Sequence, residues 1–383
     1  MQVEVQAVNL PLPRDRLVMN PIIRLPLLFL LLWAPAAHGQ TGFQTVAPGR
    51  EFRFPQDHGA HPEFKTEWWY YSGHLTSQEG QNFGYQLTFF RVGLPRPHLP
   101  TRSAWVARDV YWAHWALTAP NQGLFWFREK AGRGALGLAG AQTGALKVWV
   151  DDWRAEAHGD DQHLMAQEAE MALDLTLTPL KPPVLHGQNG YSRKSLITDV
   201  ASFYYSITRM ATRGKVTLKD RSYEVVGESW LDREFATGQM PPHLTGWDWF
   251  ALQLSNGDDL MLYLMRRQDG TLDPASSGTL VDPQGRTRHL SFTDFQVQTL
   301  STWKSPHSGA IYPAAWEIAI PDTAYHLRLH PTFPDQELRT AGTARLIYWE
   351  GQVTIQGKKG PDPLTGRGYV ELTGYAGSLG GRF

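Results

Sequence analysis

The chain has 383 residues, with 36 Lys and Arg against 37 Asp and Glu, and no cysteine. A net charge of −1 offers no basic field for nucleic acid or an anionic membrane surface, and the lack of cysteine excludes disulfides, thiolate chemistry and cysteine-bound metal. Hydrophobic residues at 42% suffice for a large core, while 36 Gly and 26 Pro fit many turns joining many short strands.

In chain order, residues 19–24 give a short lead-in with one positive charge, Arg24, before an apolar, Leu-rich run over 25–33. Small and turn-forming residues follow to Gly39. This pattern predicts a signal peptide over 1–39, with Met19 an alternative start, cleaved near Gly39 and Gln40. The apolar run is too short for a transmembrane helix. The expected location of the mature protein is the periplasm or the cell exterior.

The stretch 61–75 then packs His61, Glu67, Trp68, Trp69, Tyr70, Tyr71 and His74 into fifteen residues. Aromatics favour strands, and alternate strand side chains face opposite ways. Glu67, Trp69 and Tyr71 are therefore expected on one face, and Trp68 and Tyr70 on the other. Further strands are predicted at 83–92, 103–117, 146–153, 171–177, 201–208, 215–218, 223–231, 247–254, 260–266, 316–320, 325–330, 345–349 and 368–375. Turn signals such as Asn256-Gly257, Asp269-Gly270 and Pro283-Gln284-Gly285 separate several of them. Only 162–172 has helix-forming composition. The fold class is all-β, with two consecutive antiparallel barrels. Of two Pro-rich joints, 178–185 and 239–244, the second is preferred, because strand-like segments resume right after it. The expected domains are 40–240 and 241–383.

Acids recur beside aromatic rings. Trp230, Asp232 and Glu234 surround Arg233; Asp248 lies between Trp247 and Trp249; Glu350 follows Trp349, and Glu371 lies near Tyr369. A carboxyl group in an apolar pocket has its pKa raised and can act as a general acid near neutral pH. The alternative is that these acids are buried ion pairs with Arg91, Arg108, Arg193 or Arg233. Asp248, Asp232, Glu234 and Glu67 are the catalytic candidates. Ligand contacts are expected from Trp68, Trp69, Tyr70, Tyr71, His114, Tyr205, Trp247, Trp249 and Tyr263. The Pro- and Gly-rich loop 182–194 adds His186, Tyr191 and Arg193. Four histidines (His61, His74, His114, His186) lack diagnostic metal-ligand spacing, and no metal is assigned. Paired carboxylates with indoles also leave a glycosidase open.

The 61–75 stretch, Arg108-Asp109-Val110-Tyr111, the loop around His186, Gly246-Trp247-Asp248-Trp249-Phe250, Tyr348-Trp349-Glu350-Gly351 and 368–375 together resemble the carotenoid 1,2-hydratase/AttH-like family. The resemblance runs over about 52–375 and implies two lipocalin-like barrels and a cavity for an elongated apolar isoprenoid or lipid. In the hydratase branch it implies water added across a C=C bond without a cofactor; hydrolysis is the other reaction the family resemblance implies. In the AttH branch it implies an accessory protein of an ABC-type exporter, with a transporter permease as partner. The hydratase branch's His-x-Trp and Tyr-x-Asp pairs align at 233–235 and 263–265, where this chain has Arg233 and Met265 in place of His and Asp and retains Tyr263.

Overall fold

Short alternating runs rich in aromatic and β-branched residues favour extended backbone, and nearly every element of the protein is a strand. The computed structural model describes residues 42–95, 105–343 and 345–382. The expected signal peptide, its cleavage point and the start of the 103–117 strand lie outside these residues.

The first sheet contains β1 (Thr66–Ser77), β2 (Asn82–Gly93), β3 (Asp109–Ala119), β4 (Leu124–Arg133), β5 (Ala139–Ala141), β6 (Lys147–Val150), β7 (Trp153–His158), β8 (Asp161–Glu168), β9 (Met171–Pro179), β10 (Val184–Leu185), β11 (Tyr191–Arg193), β12 (Ala201–Leu218) and β13 (Arg221–Ala236). Its order is β4-β3-β2-β1-β13-β12-β9-β8-β7-β6-β5, with β10 and β11 on β12. The ends approach closely enough that a Cβ on Gly132 in β4 would lie 2.7 Å from Ala139 in β5, so the sheet is a nearly closed barrel.

The second sheet contains β14 (Leu244–Leu254), β15 (Asp259–Arg267), β16 (Ser277–Val281), β17 (Thr287–Leu290), β18 (Gln296–Lys304), β19 (Ile311–Ile320), β20 (Tyr325–Pro331), β21 (Glu337–Arg339), β22 (Ile347–Lys359) and β23 (Asp362–Leu372). The order β17-β16-β15-β14-β23-β22-β20-β19-β18, with β21 on β22, makes a half-barrel. Both sheets are antiparallel and lipocalin-like.

The expected helix at 162–172 is instead the hairpin of β8 and β9. Along it Gln162, Leu164 and Ala166 are buried while the residues between them are more exposed, a period of two rather than 3.6. Pairing against β7 and β9 overrides the helical propensity of Met, Ala, Gln and Glu. The predicted strands 201–208 and 215–218 are one strand, β12, irregular between Ile207 and Met210. The predicted strand 146–153 breaks at Asp151, whose φ is 59°.

Alternation decides what each wall faces. On β1, Trp69, Tyr71 and Leu75 enter the first barrel's core with Phe83, Tyr85, Trp115 and Trp153. On β14, Phe250, Leu252 and Leu254 enter the second core with Trp316 and Trp349. The opposite faces meet each other: Tyr70, Tyr204 and Trp230 of the first sheet pack with Trp249, Met261, Tyr263 and Tyr369 of the second. Gly84 permits this approach, because a Cβ there would lie 2.4 Å from the Tyr369 hydroxyl. Charge also ties the walls together. Asp259 of β15 accepts from Lys181 Nζ and Arg209 Nη2, both at 2.6 Å.

Glu67, near the start of β1, is buried. Its Oε1 accepts from Arg233 Nη2 at 2.7 Å and lies 2.7 Å from His61 Nδ1; its Oε2 accepts from Arg91 Nε at 3.2 Å. Burial alone would raise this carboxyl, but Arg233, His61 and Arg91 hold it well below the usual range. Removing the charge leaves a fully buried guanidinium without its closest anion. Glu67→Gln is therefore expected to destabilise the protein by about 3–5 kcal/mol in urea unfolding; a change under about 1 kcal/mol would contradict this account.

Candidate functional site

Between the two walls lies a cavity of about 190 Å³. Strand register writes its two faces as rows of side chains. On the first sheet Tyr70 stands opposite Asp232, and Asp232 opposite Ser206; one step along, Trp68 stands opposite Glu234, and Glu234 opposite Tyr204. On the second sheet Glu350 stands opposite Glu371, Glu371 opposite Trp249, and Trp249 opposite Tyr263. Trp68, Tyr70, Tyr204, Trp247 and Trp249 line the space with Asp232, Glu234 and Glu371. The cavity thus lies outside both barrels, whose interiors are filled by their own cores.

Asp232 accepts hydrogen bonds from Tyr204 Oη at 2.5 Å and Trp230 Nε1 at 2.6 Å, and it also bonds to Ser206 Oγ. Trp249 Nε1 reaches across from the second sheet to the Tyr204 oxygen at 3.0 Å. Tyr204 accepts there, so its own hydroxyl hydrogen is directed to Asp232. No ion pair reaches Asp232 among the described residues. Burial pushes its carboxyl up to about 7, against the lowering effect of its three hydrogen bonds.

Glu371 receives Trp247 Nε1 at 2.9 Å. Burial pushes it up to about 7 as well, with Asp232 and Glu234 adding like-charge repulsion. Its neighbour Glu350 accepts from Tyr70 Oη at 2.7 Å, and burial followed by repulsion from Glu371 raises it well above the carboxylate range. Glu234 differs, because Lys194 Nζ lies 2.7 Å away. Burial disfavours the Lys194 ammonium, but Glu234 more than offsets this and its pKa is raised. That ammonium also sits over the Tyr204 and Tyr263 rings, at 5.0 and 4.8 Å. His114 bonds Tyr348 and Thr343, each at 2.9 Å, and burial lowers it to about 4, so it is neutral.

The structure sorts the residues singled out in the sequence by strand face. Trp68, Tyr70, His114, Asp232, Glu234, Trp247, Trp249 and Tyr263 line the cavity. Glu67 is at its edge with its carboxylate turned into the arginine network. Trp69 and Tyr71 are core residues of the first barrel. Tyr205 bonds Asp57 O and His58 Nδ1 at the barrel end. Tyr191 packs with Phe52 and Phe203, and Arg193 is exposed. Asp248 faces the second core's side, bonded to Arg266 at 2.9 Å and to Tyr375 at 3.0 Å. His186 is fully buried behind Tyr204. Glu371, Glu350, Tyr204 and Lys194 were not among the candidates. Alternation within 368–375 does place Tyr369, Glu371 and Thr373 on one face, but which sheet that face meets is set by tertiary packing.

The AttH-like family model matches residues 45–375. A protein described as an AttH from Nitrosomonas europaea has a solved structure 34% identical to this chain, with a TM-score of 0.79 over 87% of this chain and 99% of that one. Kievitone hydratase from Nectria haematococca is 15% identical, with a TM-score of 0.66 over 88% of this chain and 97% of its own. CghA, crystallised with Sch210972, is 11% identical, with a TM-score of 0.52 over 88% and 98%. The last two share the fold at low identity. No curated protein matches the chain by sequence. By its family model and its solved relative, the chain belongs to the AttH-like family.

Proposed function

We propose that the cavity between the barrels binds an apolar, unsaturated ligand and adds water across a C=C bond by carboxylic-acid catalysis. The observation that carries this is a pair of carboxyl groups, Glu371 on one sheet and Asp232 on the other, that make no ion pair among the described residues and line one cavity walled by Trp68, Trp247 and Trp249. A kievitone hydratase of the same fold supports a hydration reading. The isoprenoid or lipid ligand remains the expectation of the family resemblance.

Hydrogen bonding separates the roles. Three groups bond to Asp232, and donors favour the ionised form; Glu371 has one donor and several acidic neighbours, which favour the protonated form. Glu371 therefore delivers its proton to one alkene carbon, and the other carbon becomes a cation. The indole faces attract that cation through their quadrupoles. Water attacks it, and the oxygen's surplus proton passes to Asp232. The net change is the addition of H and OH, with one proton shed by Glu371 and one gained by Asp232.

The test is incubation of the protein with an acyclic isoprenoid alkene in ¹⁸O-labelled water. The expected product is a labelled tertiary alcohol. Glu371→Gln and Asp232→Asn are each expected to cut turnover about 10²-fold or more while ligand affinity stays within a few-fold. Turnover surviving in both variants, or an alkene that does not bind at all, would overturn the proposal. The rate is expected to peak near pH 7, since the acid must be protonated and the base ionised, and both titrate at about 7.

Stability carries its own signature. An Asp whose pKa rises from 3.8 unfolded to about 7 folded binds more protons in the native state between these limits. That contribution is favourable at low pH and is lost as pH rises through 7. Asp232→Asn should therefore gain stability relative to the parent between pH 4 and 8, by up to about 4 kcal/mol. A pH-independent difference between the two proteins would show that Asp232 titrates normally.

A further inference from the structure

A chain of hydrogen bonds leads from Asp232 away from the cavity. Asp232 Oδ1 bonds to Ser206 Oγ, Ser206 Oγ lies 2.6 Å from His186 Nε2, and His186 Nδ1 lies 2.9 Å from Thr279 Oγ1. Local structure explains each placement. Ser206 is the cross-strand partner of Asp232 on β12. His186 follows β10, whose Val184 and Leu185 pair with β12, and its backbone N–H donates to Tyr204 O at 3.1 Å. Gly187, at φ 63°, turns the chain there, and a Cβ would lie 2.3 Å from Tyr191 O. The imidazole packs on the Tyr204 ring at 4.3 Å. Thr279 belongs to β16 of the second sheet, and its cross-strand partner is His289, which is exposed.

Both His186 and Ser206 are fully buried and Thr279 nearly so. Burial, with Lys194 and His289 adding repulsion, lowers His186 to about 3, so the ring is neutral and carries one N–H. A neutral imidazole between two hydroxyls satisfies both nitrogens in two ways. With Asp232 protonated, its O–H donates to Ser206, Ser206 donates to Nε2, and Nδ1–H donates to Thr279. With Asp232 ionised, every bond reverses: Thr279 donates to Nδ1, Nε2–H donates to Ser206, and Ser206 donates to Asp232. Both ring nitrogens keep a partner in either arrangement.

We propose that Ser206, His186 and Thr279 form a proton relay between Asp232 and the surface beside His289, in which His186 changes tautomer and not charge. The relay rests on the reading of Asp232 as the cavity's base and returns that base to its ionised form after each turnover. The outward step balances. Asp232 loses its proton to Ser206 Oγ as Ser206 passes its own to Nε2. In the same concerted shift Nδ1 loses its proton to Thr279 Oγ1, whose hydroxyl hydrogen leaves to solvent beside His289, so the ring never holds two N–H groups. One proton enters the chain and one departs.

The charged and titratable groups around the relay are Lys194 and His289 near His186, and Tyr204, Glu234, Glu350 and Glu371 near Asp232. Among the described residues the His186 ring hydrogen-bonds to Ser206 and Thr279, not to any of these groups. Asp232 is thus the titrating group to which the ring is wired.

The experiment is ¹⁵N NMR of the histidine-labelled protein from pH 5 to 9, with the Asp232 carboxyl followed by ¹³C. The expected result is that the two His186 nitrogens exchange protonated and unprotonated signatures in step with Asp232, and neither shows an imidazolium signature. In Ser206→Ala, Asp232 should still titrate while the His186 tautomer no longer follows it. A single His186 tautomer across the range while Asp232 titrates near 7, or an imidazolium forming above pH 5, would overturn the relay and leave the base assignment standing. Asp232 titrating in the ordinary carboxylate range would overturn the base assignment, and the relay with it.

Discussion

Taking a carboxyl group out of water is costly unless a cation or a proton accompanies it, and the two sheets impose that choice on every acid they enclose. Glu67 is accompanied by Arg233, Arg91 and His61 and stays ionised. Glu234 is accompanied by Lys194. Asp232 and Glu371 have no such partner among the described residues, and their charge is suppressed until about neutral pH. One strand can hold both outcomes, because Arg233 turns to Glu67 while Asp232 and Glu234, its neighbours in sequence, turn to the cavity.

The wall-to-wall contact of the barrels follows from the same alternation. Each sheet spends one face on its own core, and the other carries aromatic and polar side chains together. Aromatic rings supply apolar area with one polar atom each, and here those atoms cross the interface: Tyr70 to Glu350, Trp249 to Tyr204. Hydrogen bonds of this kind fix the spacing of the walls and leave a ring-lined space where the acids sit.

Much of this was legible in the sequence. Period-two runs gave the all-β class, and the 61–75 stretch correctly separated Trp69 and Tyr71 from Trp68 and Tyr70. The acid–aromatic clusters at 230–234 and 247–249 contain residues that do line the cavity. What could not be read was which face of each strand meets the other sheet. Asp248 and Trp249 look equivalent as neighbours, yet one pairs with Arg266 on the far face and the other lines the cavity. Glu371 lies far from Asp232 in sequence, and only the β14–β23 pairing and the packing of the two sheets bring them to one space. The 162–172 segment misled because its composition favours a helix while its burial follows a strand.

The claim on which the rest turns is that ligand sits between the barrels and not within either. Photo-crosslinking with a diazirine-bearing long-chain alkene, followed by peptide mass spectrometry, tests it directly. Label is expected on the strand segments that carry Trp68 and Tyr70 on one wall and Trp247 and Trp249 on the other. Label confined to core positions inside a barrel, such as Trp115 or Trp316, would contradict the account.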